Sequence, residues 1–351
     1  MQFVHESLAQ RVQFAAGGAA QAVSAEVERL AAERVMVIAG PAEAALADQV
    51  TAGLTAVLRC DEVVMHVPVE VAQRARTAAS AHRVDAIVSV GGGSTTGLAK
   101  AVAMTSGLPI VAVPTTYAGS EATAVWGLTE AGRKTTGVDP AVLPRTIVYD
   151  ATLLRGLPVA MSVASGLNAL AHCVDSLWAP KADPINAVFA TEGARALHEG
   201  LPLVTRDPLG VAGIELALYG AYLAARSFAS AGSGLHHKIC HVLGGRFDLP
   251  HAQTHAIVLP YVLAFNAPNA PTAATRLATA FGSPTALAGL LELKRVLDGP
   301  RALRDVGLRE TDIPSAVADV LAVAPDSNPT TVTEQNLTAL LQAAWAGEEP
   351  R

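Results

Sequence analysis

Cysteine, aromatic side chains and charge are all scarce in this sequence, and each scarcity excludes something. Three cysteines occur, Cys60, Cys173 and Cys240, an odd number without close pairs. That argues against a disulfide framework and fits the reducing cytoplasm. Aromatic residues make up 4% against 51% hydrophobic residues overall, so the core must be packed from small aliphatic side chains in closely spaced helices. Charged residues are 16% and the net charge is −6. A basic footprint for nucleic acid is therefore not expected, and an anionic ligand has to be met by a local cluster of donor or positive groups. The most apolar long stretch, 213–232, is interrupted by Glu215 and Arg226, which points to a buried helix and not to a membrane span. The start, MQFVHESLAQ, lacks the basic segment and apolar run of a secretory signal.

A chain of 351 residues exceeds what one core normally serves, so two domains are expected. Over residues 1–155, short β-branched runs alternate with alanine-rich helical ones. Strands are expected at 34–40, 63–67, 85–90, 109–113 and 146–150, with helices at 43–58 and 69–82. Continuous apolar strands separated by helices imply a parallel sheet covered on both faces. Over 156–351 the pattern changes to long Ala/Leu helices, expected at 159–178, 184–197, 211–229, 273–280 and 284–297. The fold class is thus an α/β N-terminal domain followed by an all-α C-terminal domain.

Two loops of the first domain have the composition of a phosphate cradle. Gly91, Gly92, Gly93 and Ser94 follow the strand at 85–90 and precede a helix expected to begin near Thr96. Glycines let a backbone approach a pyrophosphate, and a helix start offers free N–H groups and a favourable dipole. The spacing is not GxGxxG, so this is not the usual Rossmann fingerprint. A second loop, 114–121, offers the hydroxyls of Thr115, Thr116 and Ser120. No carboxylate follows the strand at 34–40 to hold an adenosine ribose, so NADH and NADPH stay open as alternatives.

The second domain carries the chemistry. Of ten histidines, seven lie between 172 and 255. Asn168 and His172 are spaced i, i+4, as are His237 and His241, so each pair shares a helix face. His251 and His255 follow a glycine turn. Such density of titratable groups points to one shared active site. Histidines from three segments suit a metal, but a carboxylate is expected to complete the set. The position one turn before His172 carries Asn168, a neutral and poor ligand. Asp175, on the same helix, is not excluded by spacing.

With these segments in place, the chain resembles the iron-containing (group III) alcohol dehydrogenase family over essentially its full length. Gly91 to Ser94 with Lys100 resemble the family's GGGSxxDxAK segment, with Gly97 where that pattern has Asp. Pro114-Thr115-Thr116 and Ser120-Glu121-Ala122-Thr123 resemble its PTTxxxSExT loop, and Lys134 matches a lysine near the adenosine end of the cofactor. The family's metal ligands, an Asp and three His, fall on Asn168, His172, His237 and His251, and His241 matches a histidine near the nicotinamide. The Asn168 departure makes the chain similar to the maleylacetate reductases, the metal-independent branch that reduces maleylacetate to 3-oxoadipate with NADH or NADPH. A metal-dependent alcohol or polyol dehydrogenase is the alternative.

The resemblance implies a dinucleotide-binding domain like that of dehydroquinate synthase, a helical catalytic domain and a homodimer. Its expected cofactor is NADH or NADPH, with no metal, and its substrate is a small dicarboxylate. The expected cofactor-binding residues are Gly91, Gly92, Gly93, Ser94, Thr115, Thr116, Ser120 and Lys134. His172, His237, His241 and His251 are expected to carry catalysis. Asn168, Tyr117, Lys238 and Arg246 are expected to bind substrate, with His236 a further candidate for its carboxylates.

Overall fold

The computed structural model describes residues 1–130 and 133–350, apart from the side chains of Arg133 and Lys134. It divides into two compact units, Ser7–Leu157 and the combination of Met1–Glu6 with Pro158–Arg351.

The first unit holds β1 (Arg11–Phe14), α1 (Ala19–Arg29), β2 (Val35–Ile38), α2 (Ala44–Val50), β3 (Ala56–Cys60), α3 (Val69–Ala81), β4 (Ala86–Gly91), α4 (Gly93–Ser106) and β5 (Ile110–Pro114). After these come β6 (Val125–Glu130), β7 (Arg133–Val138) and β8 (Thr146–Tyr149). Six strands form one parallel sheet in the order β1-β8-β5-β4-β2-β3, and β6 and β7 make a separate antiparallel hairpin. β2, β4, β5 and β8 are buried along their whole length, which explains their unbroken apolar runs. The chain moves outward from β2 to β3, then returns past β2 to place β4 on its other side. That reversal creates a switch point at the carboxyl ends of β2 and β4, where open α/β sheets bind ligands. The glycine cluster leaves β4 at that end.

Two expected elements are corrected. The helix expected over 43–58 stops at Val50, where the Thr51 hydroxyl donates back to the Ala47 carbonyl and a turn containing Gly53 follows. Ala56-Val57-Leu58-Arg59-Cys60 then forms the strand expected at 63–67, pairing in parallel with β2. His66 and Val67 have φ of 64° and 48°, a left-handed conformation that no strand accommodates.

The second unit is helical: α5 (Val159–Ser176), α6 (Pro184–Arg206), α7 (Val211–Ala231), α8 (Leu235–Phe247), α9 (His251–Asn266), α10 (Pro271–Ala280), α11 (Ala286–Leu297), α12 (Ile313–Leu321) and α13 (Glu334–Ala346). The scarcity of aromatics shows in how α6 meets α7. A Cβ on Gly193 would come within 3.1 Å of the Gly220 carbonyl, and one on Gly200 within 2.9 Å of the Ala217 nitrogen. Backbones this close require glycine at the contact. Asp183 starts α6 by accepting the Ile185 and Asn186 N–H groups, with Pro184 at the first helical position. The apolar stretch 213–232 lies almost wholly in α7, and no described helix is long and apolar enough to cross a membrane.

Candidate active site

In the α/β unit the two loops of the sequence lie side by side. Gly91 pairs with Pro114 across β4 and β5, and its carbonyl accepts the Thr115 N–H. A Cβ on Gly92 would meet the Thr116 methyl at 3.0 Å, and one on Gly91 would collide with the Thr95 hydroxyl at 2.3 Å. A side chain at Gly92 would thus press on the second loop, and one at Gly91, whose φ is 154°, on the first turn of α4. α4 begins at Gly93, three residues before the expected start, with Gly92 as a cap that has no side chain to offer. Gly93, Ser94 and Thr95 thus form a first turn whose N–H groups are not consumed by a side-chain cap, as an anion site requires. Gly97, where the family pattern has Asp, is pressed toward Val67: a Cβ there would lie 2.9 Å from the Val67 methyl. Tyr117 is buried in the second loop, and burial pushes its phenol far above its ordinary value. Lys134 is in β7, and its side chain lies outside the described residues.

Lys100, two turns along α4, is fully buried. Its Nζ donates to the carbonyls of Ser120 (2.7 Å), Thr123 (2.9 Å) and Val125 (2.7 Å), and stands 3.2 Å from the Thr123 hydroxyl. Burial pulls its ammonium down to about 7, against the raising influence of the Glu121 carboxylate. Three carbonyls match the three protons of an ammonium, so the charged form is the one this cage fits. Glu121, itself buried and raised by desolvation, accepts the Tyr149 hydroxyl at 2.8 Å.

In the helical unit, α5, α8 and α9 gather the histidines. The His172 and His237 rings stack with centroids 4.9 Å apart and planes at 15°, and Phe228 of α7 packs on both. His255 lies 5.0 Å from His237 and 4.4 Å from His251, and His241 lies 6.0 Å from His237. Asn168 sits one turn before His172. Four atoms of this group, Asn168 Oδ1, His172 Nδ1, His237 Nε2 and His255 Nε2, are buried with no hydrogen-bond partner. Buried polar atoms are normally satisfied, so four orphans in one cluster mark a place for a polar ligand. Burial, reinforced by neighbouring histidines, holds His172, His237 and His255 well below the usual imidazole range. All three are therefore neutral near pH 7.

Asp175 organises the cluster. Its carboxylate, buried on α5, accepts the N–H groups of Gly234 (2.7 Å), His236 (3.3 Å) and His237 (3.4 Å), which open α8. It also accepts the Trp178 indole N–H at 3.3 Å and lies 2.7 Å from His237 Nδ1. Gly234 has no side chain, so a carboxylate from another helix caps α8. A proton on Nδ1 facing this carboxylate leaves Nε2 as the accepting atom of His237. The sequence leaves Asp175 open as a metal ligand; the fold spends it on positioning.

Not every expected residue joins. Arg246 is nine residues beyond His237, two and a half turns and roughly 13 Å along α8, on the opposite side; its exposed guanidinium pairs with Asp319. Expected among the substrate-binding residues, it stands apart from the histidines in this structure. His236 is buried and bonded to His255 instead of facing a carboxylate: its Nε2 lies 2.9 Å from His255 Nδ1. Lys238 is half-buried, and its charge bears on His237. His236, Cys240 and His255 have ligand atoms within 4.8 Å of one another, the only such group among the described residues. Two nitrogens on one tetrahedral zinc stand about 3.3 Å apart, so the 2.9 Å separation is that of a hydrogen bond.

Comparison with known proteins agrees with this architecture. Residues 9–151 match the model of the iron-containing alcohol dehydrogenases, and residues 162–345 match that of the Fe-containing alcohol dehydrogenase family, C-terminal. The chain is 44% identical to a maleylacetate reductase of Sphingobium indicum over 353 aligned positions, covering 100% of this chain and 99% of that protein. A crystal structure of an iron-containing alcohol dehydrogenase from Corynebacterium glutamicum superposes with a TM-score of 0.99 at 59% identity, covering 100% of this chain and 98% of that one. Maleylacetate reductase from Agrobacterium tumefaciens superposes with a TM-score of 0.95 at 40% identity, with both chains covered completely. The chain belongs to the iron-containing alcohol dehydrogenase family.

Proposed function

We propose that this protein is a maleylacetate reductase, reducing the conjugated C=C bond of maleylacetate to give 3-oxoadipate with NADH or NADPH, without a metal. The observation that carries the metal-free reading is the state of the four positions that hold the metal in the resemblance. Asn168 supplies a neutral amide, and His172, His237 and His251 do not bring three nitrogens within 4.8 Å of one another, as a shared ion requires. The nearest carboxylate, Asp175, already receives Gly234, His236, His237 and Trp178. This donor set is a poor match for a divalent cation, which supports the metal-free reading.

The substrate chemistry permits this. An isolated carbonyl needs strong polarisation, which a Lewis acid supplies. In maleylacetate the alkene is conjugated to a ketone. Hydride from the reduced nicotinamide forms a C–H bond at the alkene carbon β to that ketone. The π electrons move onto the ketone oxygen as an enolate, a proton is delivered to the α carbon, and the nicotinamide leaves oxidised. Hydrogen-bond donors suffice for a delocalised enolate, each worth about 3–4 kcal/mol in the transition state.

Gly91, Gly92, Gly93 and Ser94 receive the pyrophosphate, and Thr115, Thr116 and Ser120 orient the nicotinamide. Lys134 is assigned to the adenosine end. His172, neutral, donates to the enolate oxygen. His237 takes a solvent proton at its accepting Nε2 and passes it to the α carbon, with Asp175 stabilising the transient imidazolium at Nδ1. His241 and His251 stand by as the proton's route. Asn168, Tyr117 and Lys238 bind the dicarboxylate. A cytoplasmic homodimer is the expected working form, to be checked by sedimentation.

The test is NADH oxidation with maleylacetate on exhaustively chelated enzyme. Turnover at the untreated rate is expected. A rate lost on chelation and restored by Fe²⁺ or Zn²⁺ would overturn the metal-free reading, and no turnover under any condition would overturn the activity itself.

A further inference from the structure

Lys100 is a costly residue in its place. It is fully buried, and its ammonium is bonded to backbone carbonyls and a hydroxyl, with no carboxylate in contact. Burying an ammonium is expensive unless its surroundings repay the lost hydration, and a methionine would fill similar volume without that penalty. What the ammonium does is mechanical. It sits on α4, the helix whose first turn carries Gly93 and Ser94. Its three protons gather the carbonyls of Ser120, Thr123 and Val125, which belong to the second loop and the start of β6. The segment it gathers has little regular structure of its own, a three-residue 3-10 turn at Ser120–Ala122 preceded by Gly119 in the left-handed conformation. Glu121 points the other way, to the Tyr149 hydroxyl on β8. The loop is thus held from two sides, by α4 through Lys100 and by β8 through Glu121.

We propose that Lys100 is a positioning residue for the dinucleotide: it fixes the 115–125 segment at a set distance from the glycine loop, so that both loops receive one cofactor together. This rests on the assignment of the two loops to NAD(P)H. Lys100 touches no part of the cofactor; its effect passes through the carbonyls it holds.

The test compares Lys100→Met with the parent enzyme in steady-state kinetics and in NADH binding followed by fluorescence. The expected result is a KM and Kd for NADH raised at least tenfold, with kcat at saturating NADH within threefold and a smaller rise in the KM for maleylacetate, because Tyr117 rides on the same segment. A merely structural role lowers the active fraction and leaves the NADH KM where it was; that outcome overturns the proposal. Should Lys100→Met fail to fold, Lys100→Gln decides. It keeps a donor for the loop carbonyls but removes the three-proton ammonium, and a threefold or larger rise in NADH Kd supports the proposal while an unchanged Kd overturns it. Parent enzyme that binds neither NADH nor NADPH refutes the cofactor assignment; parent enzyme that binds beside variants that bind equally well refutes only the role of Lys100.

Discussion

Replacing Asp175 by asparagine separates its two tasks, capping α8 and holding His237. The two carboxylate oxygens meet only donors. Oδ2 takes Gly234 N–H, His237 N–H and His237 Nδ1, while Oδ1 takes His236 N–H and the Trp178 indole. An amide of the same shape must turn its NH₂ toward one of these sets. Turning it toward the longer contacts at Oδ1 leaves two buried donors unmet, at about 1–3 kcal/mol each. A loss of about 3 kcal/mol in unfolding free energy is therefore expected. The catalytic effect is separate. Without the charge, the imidazolium that forms at His237 loses a charge-assisted hydrogen bond worth about 1.5–3 kcal/mol, which corresponds to a kcat lower by about 10- to 100-fold. The KM for NADH should not move, because the loops assigned to the cofactor belong to the other unit. The assay is kcat and both KM values beside urea unfolding of the same preparation. A variant that loses stability yet keeps its full turnover number would refute the catalytic half of this reasoning and leave Asp175 as a cap alone.

Three further outcomes are expected. Asn168→Asp restores an anion beside His172 without bringing the nitrogens of His172, His237 and His251 together, so the variant should still take up no stoichiometric zinc or iron by elemental analysis; close to one equivalent of tightly bound metal contradicts the donor-set argument. Acid should destabilise the fold steeply. His172, His236, His237 and His255 are neutral in the folded state with pKa values held well below 6.5 by burial, and unfolding releases them to about 6.5, so the unfolded chain binds more protons below that pH. Their contribution is complete above about pH 6.5 and is lost as pH falls, at up to about 5 kcal/mol per pH unit for the four together; a melting temperature flat from pH 7 to 5 contradicts it. Finally, Pro260 lies inside α9 and has no N–H to give the Ala256 carbonyl, and Lys294 Nζ takes that place at 2.8 Å. Lys294→Met should cost about 1–3 kcal/mol in urea unfolding with kcat unchanged, and Pro260→Ala should recover part of that loss by returning the missing N–H.

The sequence by itself determined the architecture. Apolar strands without alternation required a sheet covered on both faces, and long Ala/Leu segments required helices. Gly91 to Ser94 after β4, and the histidines from 172 to 255, were legible because local composition and i, i+4 spacing carry them. What failed locally had a tertiary cause or an unread turn. The left-handed His66 and Val67 moved the third strand back to Ala56–Cys60, since pairing with β2 and not propensity chose the register. β1, whose four residues carry no distinctive pattern, becomes a strand only because β8 offers it an edge.

Only the tertiary structure decided which charges face which partners. Asp175 and Asn168 share one helix and are equally eligible as ligands on spacing, yet α8 docks its N-terminus on Asp175 and leaves Asn168 Oδ1 without a partner. Arg246 and Lys238 are both cations on α8, and helical phase alone turns the first to Asp319 and keeps the second beside His237. Lys100 occurs in the sequence as one lysine of a motif; the cage of three carbonyls around it is assembled by a loop 20 to 25 residues away. Contacts of this kind are absent from any local window, because they are set when separate elements pack and buried polar groups must find partners from whatever the packing brings.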